Sequence, residues 1–332
     1  MERDNKNGNT KVVEKDTKAQ NVSIDDRLEE IASNIRTLDG WKRYIADYYP
    51  VFCGLLAKLE VNAGGTLEES NKKPIAVILG GQPGAGKSAL IATYKTILKD
   101  GYGIDAGINN ADFYRFSVPG SYRVATDFPE SASEVTDPVV KMMRRNLMEE
   151  SIAQKKSVII ENTLGDTIVV DKMRQGGVHD IWLALMAVPR EESLLSDFER
   201  YIKMQETADI ARLVSVEAHD KRYHALDKIV SELENTDMRI LVHSRGKTEN
   251  DFVTLEYDSK NPDKRYSSAL DAIGKIRKRT FKEGVHGYGD RLKNIRQKME
   301  SLGMTPDEEI ELHTLEDIIT KSIAKEMEGE ER

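Results

Sequence analysis

The chain has 332 residues, of which 39% are hydrophobic and 32% are charged. This length suggests about two domains, and the apolar content is enough for a sizeable core and too high for a fully disordered chain. The formal charge is −8, from 49 basic and 57 acidic residues. Such a balance argues against a protein that coats nucleic acid or an anionic membrane over its whole surface.

The cysteine content and the hydropathy of the sequence indicate the cellular compartment of the protein. Cys53 is the single cysteine of the sequence, so neither an intrachain disulfide nor a cysteine-based zinc site can form. The sequence contains no apolar run of about 18 residues, so no transmembrane helix is expected. Met1–Asp16 is polar and lacks the apolar core of a secretory signal. These features favour a cytoplasmic protein with no membrane partner.

The N-terminal part of the chain divides into a leader and a helical unit. Residues 1–20 are rich in Lys, Asn, Asp and Thr and are expected to be a disordered leader. Residues 21–66 are expected to form a small helical unit and a linker. Its first helix begins near Ser23, and two further helices are predicted over Trp41–Tyr49 and Pro50–Val61.

Residues 67–264 alternate short apolar strands with helices. The predicted strands are Ile75–Leu79, a weak one ending near Ile108, Ser157–Glu161, Ile181–Val188, Asp237–Ser244 and a short edge strand, Val253–Tyr257. This alternation is typical of an α/β fold with a parallel sheet flanked by helices. Residues 265–332 contain charged helical segments, which predict a C-terminal helical extension that packs on this body or binds a partner.

The clearest motif is a glycine-rich loop that directly follows the first apolar strand. Its pattern, G-x-x-x-x-G-K-[ST], is formed by Gly81, Gln82, Pro83, Gly84, Ala85, Gly86, Lys87 and Ser88. A strand before the loop and a helix after it are the context that a phosphate-binding loop requires. Lys87 would reach the β- and γ-phosphates, and Ser88 would bind Mg²⁺. We therefore expect ATP and Mg²⁺ as ligands of a P-loop NTPase-type fold.

Other motifs bear on where the γ-phosphate goes. The sequence has no Asn-Lys-x-Asp motif of a GTPase. The strand that ends at Glu161 lacks the preceding Asp that motor ATPases carry. A kinase needs a carboxylate that accepts the proton of the substrate hydroxyl and arginines that neutralise the transferred phosphoryl group.

Five residues are candidates for these tasks. Asp112 follows the weak second strand, and Glu161 and Thr163 lie at the end of the next one. Such strand ends face the ligand crevice in open α/β sheets. Asp112 could be a general base or a helix cap, and the other two could bind substrate or metal or simply end a strand. Arg200 and Arg212 could cover the triphosphate or lie on a solvated surface.

Taken together, these residues resemble the zeta-toxin family of P-loop kinases over roughly residues 74–245. The matching segments are Gly81–Ser88, Asn110–Asp112, Ile160–Thr163, Met186–Pro189, Glu199–Tyr201, and Arg212 with Ala218–Asp220. The resemblance implies transfer of the ATP γ-phosphate to the 3′-hydroxyl of the amino sugar of UDP-N-acetylglucosamine. The product would block the synthesis of cell-wall precursors, so the enzyme would act as a bacterial toxin.

The same resemblance assigns roles to individual residues of this chain. These are general base for Asp112, triphosphate and metal binding for Lys87 and Ser88, sugar-nucleotide binding for Glu161 and Thr163, and stabilisation of the transferred phosphoryl group for Arg200 and Arg212. Family members often carry Gly-Thr-Gly-Arg after the glutamate, whereas Asn162–Asp166 contains no arginine here. Another small-molecule acceptor (a nucleotide, a dinucleotide or an antibiotic) and a non-catalytic nucleotide-dependent regulatory module remain alternatives. The negative charge disfavours nucleic acid.

Toxins of this family are usually held by a separate helical antitoxin that obstructs the nucleotide site. Residues 21–62 predict a helical unit on a flexible linker, which raises the hypothesis of inhibition in cis. Tethering would give that unit an effective concentration on the order of millimolar. The alternatives are an extension that covers the sheet edge and an oligomerisation element.

Overall fold

A computed structural model describes residues 30–63, 73–116, 121–128, 132–177, 179–207, 211–248 and 251–330. Within these residues the centre of the molecule is a six-stranded sheet in the order β2-β3-β1-β4-β5-β6. Its strands are β1 Ile75–Gly80, β2 Gly107–Asn109, β3 Val158–Glu161, β4 Asp180–Met186, β5 Arg239–Thr248 and β6 Asp251–Asp258. The first five are parallel, and β6 pairs antiparallel with β5 at the edge.

Helices cover both faces of this sheet and extend beyond it at both ends of the described chain. They are α1 Leu38–Ala63, α2 Lys87–Thr96, α3 Ala111–Phe116, α4 Ser121–Asp127, α5 Ala132–Ala153, α6 Ile168–Gly176, α7 Arg190–Glu206, α8 Val216–Leu233, α9 Ala269–Leu302 and α10 Pro306–Glu330. The predicted α/β fold, with its largely parallel sheet and helical C-terminal extension, is confirmed.

The buried strands follow from their composition. Strand β1 is buried along its whole length, because helices lie over both faces of a parallel sheet. Its side chains alternate between two apolar clusters, with Ile78 on one face and Val77 on the other. The parallel arrangement brings the carboxyl ends of β1, β3 and β4 to one edge of the sheet, where the phosphate loop begins.

The predicted helix boundaries in the N-terminal part were wrong. Trp41–Tyr49 and Pro50–Val61 form one helix, α1, with Pro50 in its interior. A proline there removes one backbone hydrogen bond and usually kinks or ends a helix. Apolar side chains on both sides of the proline, including Trp41 and Val61, are buried in the same cluster as residues of α5, and this burial offsets the loss. Helix α5 likewise has a proline, Pro138, in its interior.

Helix α1 shares its apolar core with the body of the molecule. Trp41 and Cys53 are buried in one cluster with Tyr114 of α3 and Val139 of α5. The predicted leader at residues 1–20, the predicted helix start at Ser23 and the predicted boundary after residue 66 lie outside the described residues.

The C-terminal helices form a hairpin beside α7. Helix α9 is capped by Ser268, whose side chain accepts a hydrogen bond from the backbone N–H of Asp271. Its first turns pack under the sheet, and its second half packs on α7 and α10 through Tyr288, Ile295 and neighbouring apolar residues. Among the described helices, none combines the length and apolar sequence needed to cross a membrane.

Candidate active site

The phosphate loop joins β1 to α2 and has the backbone that its glycines permit. Gly84 and Gly86 have φ angles of +70° and +93°, a region that favours glycine. A Cβ atom on Gly84 would lie 1.9 Å from the carbonyl oxygen of Ser193, so no other residue fits there without movement of the chain. The loop is therefore packed directly against the first turn of α7.

Hydrogen bonds also hold the phosphate loop against the first turn of α7. Gln82 is fully buried, and its Nε2 donates to the carbonyl oxygen of Val188 and to Oγ of Ser193, each at 3.0 Å. Lys87 is also buried, and its Nζ donates to the carbonyl oxygen of Gln82 at 3.0 Å. Ser88 is exposed in the first turn of α2. The buried residues Gln82, Pro83 and Ala85 thus shape the loop, and Lys87 and Ser88 carry the polar groups that could bind a ligand.

A cleft of about 610 Å³ opens beside this loop. The lining residues are Pro83, Lys87, Asn110, Ala111, Arg115, Asp137, Val140, Lys141, Arg144, Glu161, Asn162, Thr163, Arg200, Met204, Arg212, Leu213, Val214, Ser215, Ala218 and Arg222. Among the described side chains, seven that line it are Lys or Arg and two are Asp or Glu. The cleft is strongly cationic although the chain as a whole carries a charge of −8, which suits an anionic ligand.

Most of the separately predicted site residues meet in this cleft. Glu161 and Thr163 reach it from the end of β3, Arg200 from α7, and Arg212 from the segment between α7 and α8. Asp112 is the second residue of α3 and directly follows Asn110 and Ala111, which line the cleft; its side chain lies outside the described part. Asn110 and Glu161, which are far apart in sequence, therefore border one space, because their strands end at the same edge of the sheet.

The arginine Arg200 is held by a buried carboxylate. Its Nη2 lies 2.7 Å from Oδ1 of Asp197, which is 1% exposed. Burial raises the pKa of Asp197, and the charges of Arg200 and Lys87 oppose that rise. Asp197 also accepts a backbone hydrogen bond from Val214 at 3.4 Å. The carboxylate thereby joins α7 to the segment that carries Arg212, whose Nη1 is 4.0 Å from Oδ1 of Asp137.

Helix α5 contributes cleft residues that the sequence analysis missed. Asp137, Lys141 and Arg144 lie one turn apart on one face of this helix. Nη2 of Arg144 donates to the carbonyl oxygen of Glu161 at 2.6 Å, and Nη2 of Arg115 lies 2.6 Å from Oδ1 of Asp137. The spacing of these charges at i, i+4 and i+7 was a usable signal for a polar helix face, although it does not say what that face meets.

Arg222 of α8 was also missed. It lines the cleft, and its Cγ would lie 3.9 Å from a Cβ placed on Gly165, in the loop after β3. Its Nη1 donates to the carbonyl oxygen of Ala218 at 2.8 Å. The aliphatic part of the Arg222 side chain therefore lies beside the loop segment Asn162–Asp166, which has no arginine of its own.

His219 belongs to a buried network behind the phosphate loop. Its Nε2 lies 2.9 Å from Oγ of Ser193 and its Nδ1 lies 3.2 Å from Oδ1 of Asp220, which Arg190 binds through two nitrogens. Burial lowers the pKa of His219 to about 4, so the ring is neutral at neutral pH. A neutral ring that donates a hydrogen bond from Nδ1 to Asp220 can accept one at Nε2 from Oγ of Ser193. The same Oγ accepts a hydrogen bond from Nε2 of Gln82. This arrangement positions the loop rather than a reacting proton.

A few of the described side chains could bind a metal ion. The described residues include no group of three or more His, Cys, Asp or Glu side chains that could hold a metal ion by itself. Mg²⁺ commonly takes one or two protein oxygens and completes its shell with water and substrate phosphates. The exposed hydroxyl of Ser88 and the half-buried carboxylate of Glu161 fit that requirement.

Comparison with known proteins places the fold and the family. Residues 62–259 match the family described as Zeta toxin. The toxin PezT of Streptococcus pneumoniae serotype 4 (strain ATCC BAA-334 / TIGR4) is 27% identical over 215 residues, which cover 63% of this chain and 80% of the relative. The solved structure of the PezAT chromosomal toxin-antitoxin system of Streptococcus pneumoniae has a TM-score of 0.56 at 21% identity, covering 76% of this chain and 97% of that chain.

A second solved structure, the native AvrRxo1-ORF1:-ORF2 complex, has a TM-score of 0.47 at 14% identity and covers 88% of this chain and 94% of that chain. The PezAT likeness shows the same fold. The family match covers more than half of the sequence and includes the phosphate loop, the cleft and both arginines. The chain therefore belongs to the zeta-toxin family, a family of toxin kinases.

Proposed function

We propose that this protein transfers the γ-phosphate of ATP to the 3′-hydroxyl of the amino sugar of UDP-N-acetylglucosamine. The observation that carries the proposal is the cleft, in which Lys87 of the phosphate loop, Glu161 and the arginines Arg200 and Arg212 surround one space. That set combines a triphosphate cradle with a carboxylate and two further cations, which are the parts that phosphoryl transfer requires. Membership of a kinase family supports the same class of reaction.

The donor side is built on the phosphate loop. Its amide groups and the N-terminal end of α2 would bind the phosphates of ATP, and Lys87 would neutralise charge on the β- and γ-phosphates. Mg²⁺, when bound, neutralises further charge on the phosphate oxygens. Ser88 and Glu161 are the residues of this chain that would hold it.

The acceptor side is supported by the charge of the cleft. Lys141 and Arg144 on α5 and Arg222 on α8 line the cleft. All three are distant in sequence from the phosphate loop. A planar guanidinium suits phosphate oxygens, and the cation excess favours an acceptor that carries a diphosphate, as a UDP-sugar does. Arg222 would supply at the Asn162–Asp166 loop the cation that the loop itself lacks.

The chemical step uses Asp112 as general base. Its carboxylate would accept the proton of the sugar 3′-hydroxyl as the oxygen attacks the γ-phosphorus. The new bond joins that oxygen to the γ-phosphorus, and the bond between the γ-phosphorus and the β,γ-bridging oxygen breaks, so that ADP leaves. Arg200 and Arg212 would stabilise the charge on the phosphoryl group in transit.

The direct test is phosphoryl transfer followed by mass spectrometry. The full chain is incubated with ATP, Mg²⁺ and UDP-N-acetylglucosamine, next to Asp112→Asn and to Asp100→Asn. Asp100 is an exposed aspartate outside the cleft and serves as the matched control. We expect a sugar nucleotide heavier by one phosphoryl group from the wild type and Asp100→Asn, and at least about a hundredfold less from Asp112→Asn.

Other outcomes would redirect the proposal. No adduct in the presence of intact ATP binding would contradict UDP-N-acetylglucosamine as the acceptor, and a panel of nucleotides, dinucleotides and antibiotics would then be assayed. ATP binding without turnover on any acceptor would favour a non-catalytic regulatory module. Full activity of Asp112→Asn would remove the proposed base while leaving the kinase in place.

A helical antitoxin is the partner that we propose. The PezAT structure is described as a toxin-antitoxin system, and this chain shares that fold. An inhibitor in cis is the second form of the same hypothesis. Among the side chains that the structure describes in residues 30–63, none lines the cleft, and in this second form of the hypothesis we place the inhibitory part within residues 1–29.

Removal of residues 1–29 tests inhibition in cis without disturbing the buried face of α1. A rise in phosphoryl-transfer rate relative to the full chain would support it. An unchanged rate and unchanged toxicity in a bacterial host would contradict it and leave a separate antitoxin as the partner.

A further inference from the structure

The C-terminal hairpin lies outside the matched family region, which ends at residue 259. Its helix α9 packs along α7, the helix that carries Arg200 and contacts the phosphate loop. The contact between α9 and α7 includes polar pairs. Lys298 of α9 meets Glu206 at the C-terminal end of α7. Nearer the nucleotide site, Arg291 of α9 reaches into a group of side chains that leads to it.

Arg291 binds two carboxylates of α7. Its Nε and Nη2 each lie 2.8 Å from a different oxygen of Glu199, and its Nη1 lies 2.7 Å from Oε2 of Glu192. Nη2 also donates to Oγ of Ser196 at 2.9 Å. One guanidinium therefore uses all three of its nitrogens on one face of α7, which fixes the position of the Glu192 side chain.

Glu192 passes this constraint to the phosphate loop. Its second oxygen, Oε1, accepts a hydrogen bond from Nη1 of Arg245, at the end of β5. The same nitrogen donates to Oγ of Ser196 at 3.0 Å, and Nη2 of Arg245 donates to the carbonyl oxygen of Gly84. The Glu192 carboxylate thus bridges the two arginines, and it is only 19% exposed.

The hydrogen bond from Arg245 to the carbonyl oxygen of Gly84 affects the conformation of the phosphate loop. Gly84 has a φ angle of +70°, and a phosphate loop binds its ligand when backbone N–H groups point inward. A cation that holds the outward carbonyl oxygen restricts rotation of the neighbouring peptide groups and so favours the binding conformation. Burial lowers the pKa of Arg245 and the charge of Glu192 opposes this, so the carboxylate also helps to keep the arginine charged.

We propose that Arg291 is a positioning residue for the phosphate loop, acting through Glu192 and Arg245 on Gly84. The C-terminal hairpin thereby sets the affinity for the triphosphate from outside the kinase body. The proposal rests on nucleotide binding at the loop, which is part of the function proposed above, and it is independent of the acceptor.

The test measures ATP binding by calorimetry on the full chain. Arg291→Gln removes the charge that fixes Glu192. Arg296→Gln is the matched control, because Arg296 lies on the same helix and pairs with Glu316 of α10 and with Glu300, away from α7. We expect Arg291→Gln to weaken ATP binding about five- to twentyfold, the loss of roughly one charge-assisted hydrogen bond, and Arg296→Gln to change it less than about twofold.

A double variant separates positioning from general destabilisation. If Arg291 acts through Glu192, the pair Glu192→Gln and Arg291→Gln binds ATP within about twofold of Glu192→Gln alone. Additive losses would overturn the proposed route. In steady-state assays the KM for ATP rises while the KM for the acceptor stays unchanged, a split that partial unfolding does not produce.

Two distinct results would count against these proposals. One overturns the positioning role of Arg291, and the other overturns the proposed function on which that role rests. Equal ATP affinity of the wild type and Arg291→Gln overturns the positioning role. No ATP binding by the folded wild type overturns the proposed function itself. If Arg291→Gln does not fold, Glu192→Gln removes the carboxylate that bridges Arg291 and Arg245, and an unchanged ATP affinity of that variant overturns the proposed route.

Discussion

Nε2 of Gln82 donates a hydrogen bond to Oγ of Ser193 at 3.0 Å, which ties the second residue of the phosphate loop to the first turn of α7. Ser193 also meets His219 of α8 at 2.9 Å. The loop that would bind phosphate is therefore fixed to the two helices that border the cleft on its arginine side.

Gln82→Ala is expected to lower the free energy of unfolding by about 1–3 kcal/mol, because the carbonyl oxygen of Val188 loses its buried donor. ATP binding should weaken as well, since the loop loses its tie to α7. Chemical denaturation and calorimetry measure the two effects. Gln205→Ala, at an exposed position of α7, is the control and should cost less than about 0.5 kcal/mol. Equal stability of both variants would contradict the anchoring role.

Arg222→Ala is expected to raise the KM for the acceptor about tenfold, with kcat changed less than about twofold, because a guanidinium that only binds phosphate contributes equally to ground and transition states. Lys221→Ala is the matched control, since Lys221 is its exposed neighbour and does not line the cleft. Steady-state kinetics with varied acceptor separate the two constants. A fall in kcat at constant KM would place Arg222 in the transfer step instead.

Acid should destabilise the fold through two buried histidines. Burial lowers the pKa of His219 and of His243 from 6.5 to about 4. The unfolded chain binds protons at these sites below pH 6.5 and the folded chain does not, so their contribution is complete above that value and is lost as the pH falls towards 4. Each can contribute up to about 3 kcal/mol over that range.

Denaturation at several pH values checks this dependence. His243 lies 3.1 Å from the Tyr94 hydroxyl and 3.3 Å from the Leu185 carbonyl oxygen, away from the cleft. In His243→Gln, which keeps a donor and an acceptor, the slope between neutral and acid pH should fall by the share of His243, while His219 and His179, whose pKa is also lowered by burial, keep theirs. An unchanged slope would mean that His243 titrates alike in the folded and unfolded chains.

Removal of residues 1–66, which deletes α1, is expected to destabilise the protein strongly. Trp41, Tyr44 and Cys53 are buried in the cluster shared with α5, so the deletion would expose an apolar face of that helix. Full burial of each large apolar side chain contributes about 1.5–3 kcal/mol, which makes a loss above about 5 kcal/mol reasonable. Thermal unfolding with light scattering measures the loss, and removal of residues 1–29 alone is the control. Equal melting temperatures would show that α1 is dispensable.

Local sequence was sufficient for the sheet and for the phosphate loop. Ile75–Leu79 is a continuous apolar run typical of a strand buried on both faces, and the glycines between this strand and the following helix mark a phosphate loop. The ends of helices were harder to predict from the sequence. Pro50 predicts a boundary by its backbone chemistry, yet the helix continues because apolar burial on both sides of it outweighs one lost hydrogen bond.

The candidate site divides in the same way. The sequence by itself determined the phosphate loop, the residues at strand ends such as Glu161, and the family resemblance that drew attention to Arg200 and Arg212. Only the tertiary structure brought Lys141, Arg144 and Arg222 to the same cleft and joined Arg291 to Gly84. Spacing along a strand or a helix reports which residues share a face. Which faces meet depends on packing between elements far apart in the chain, and no local pattern contains that information.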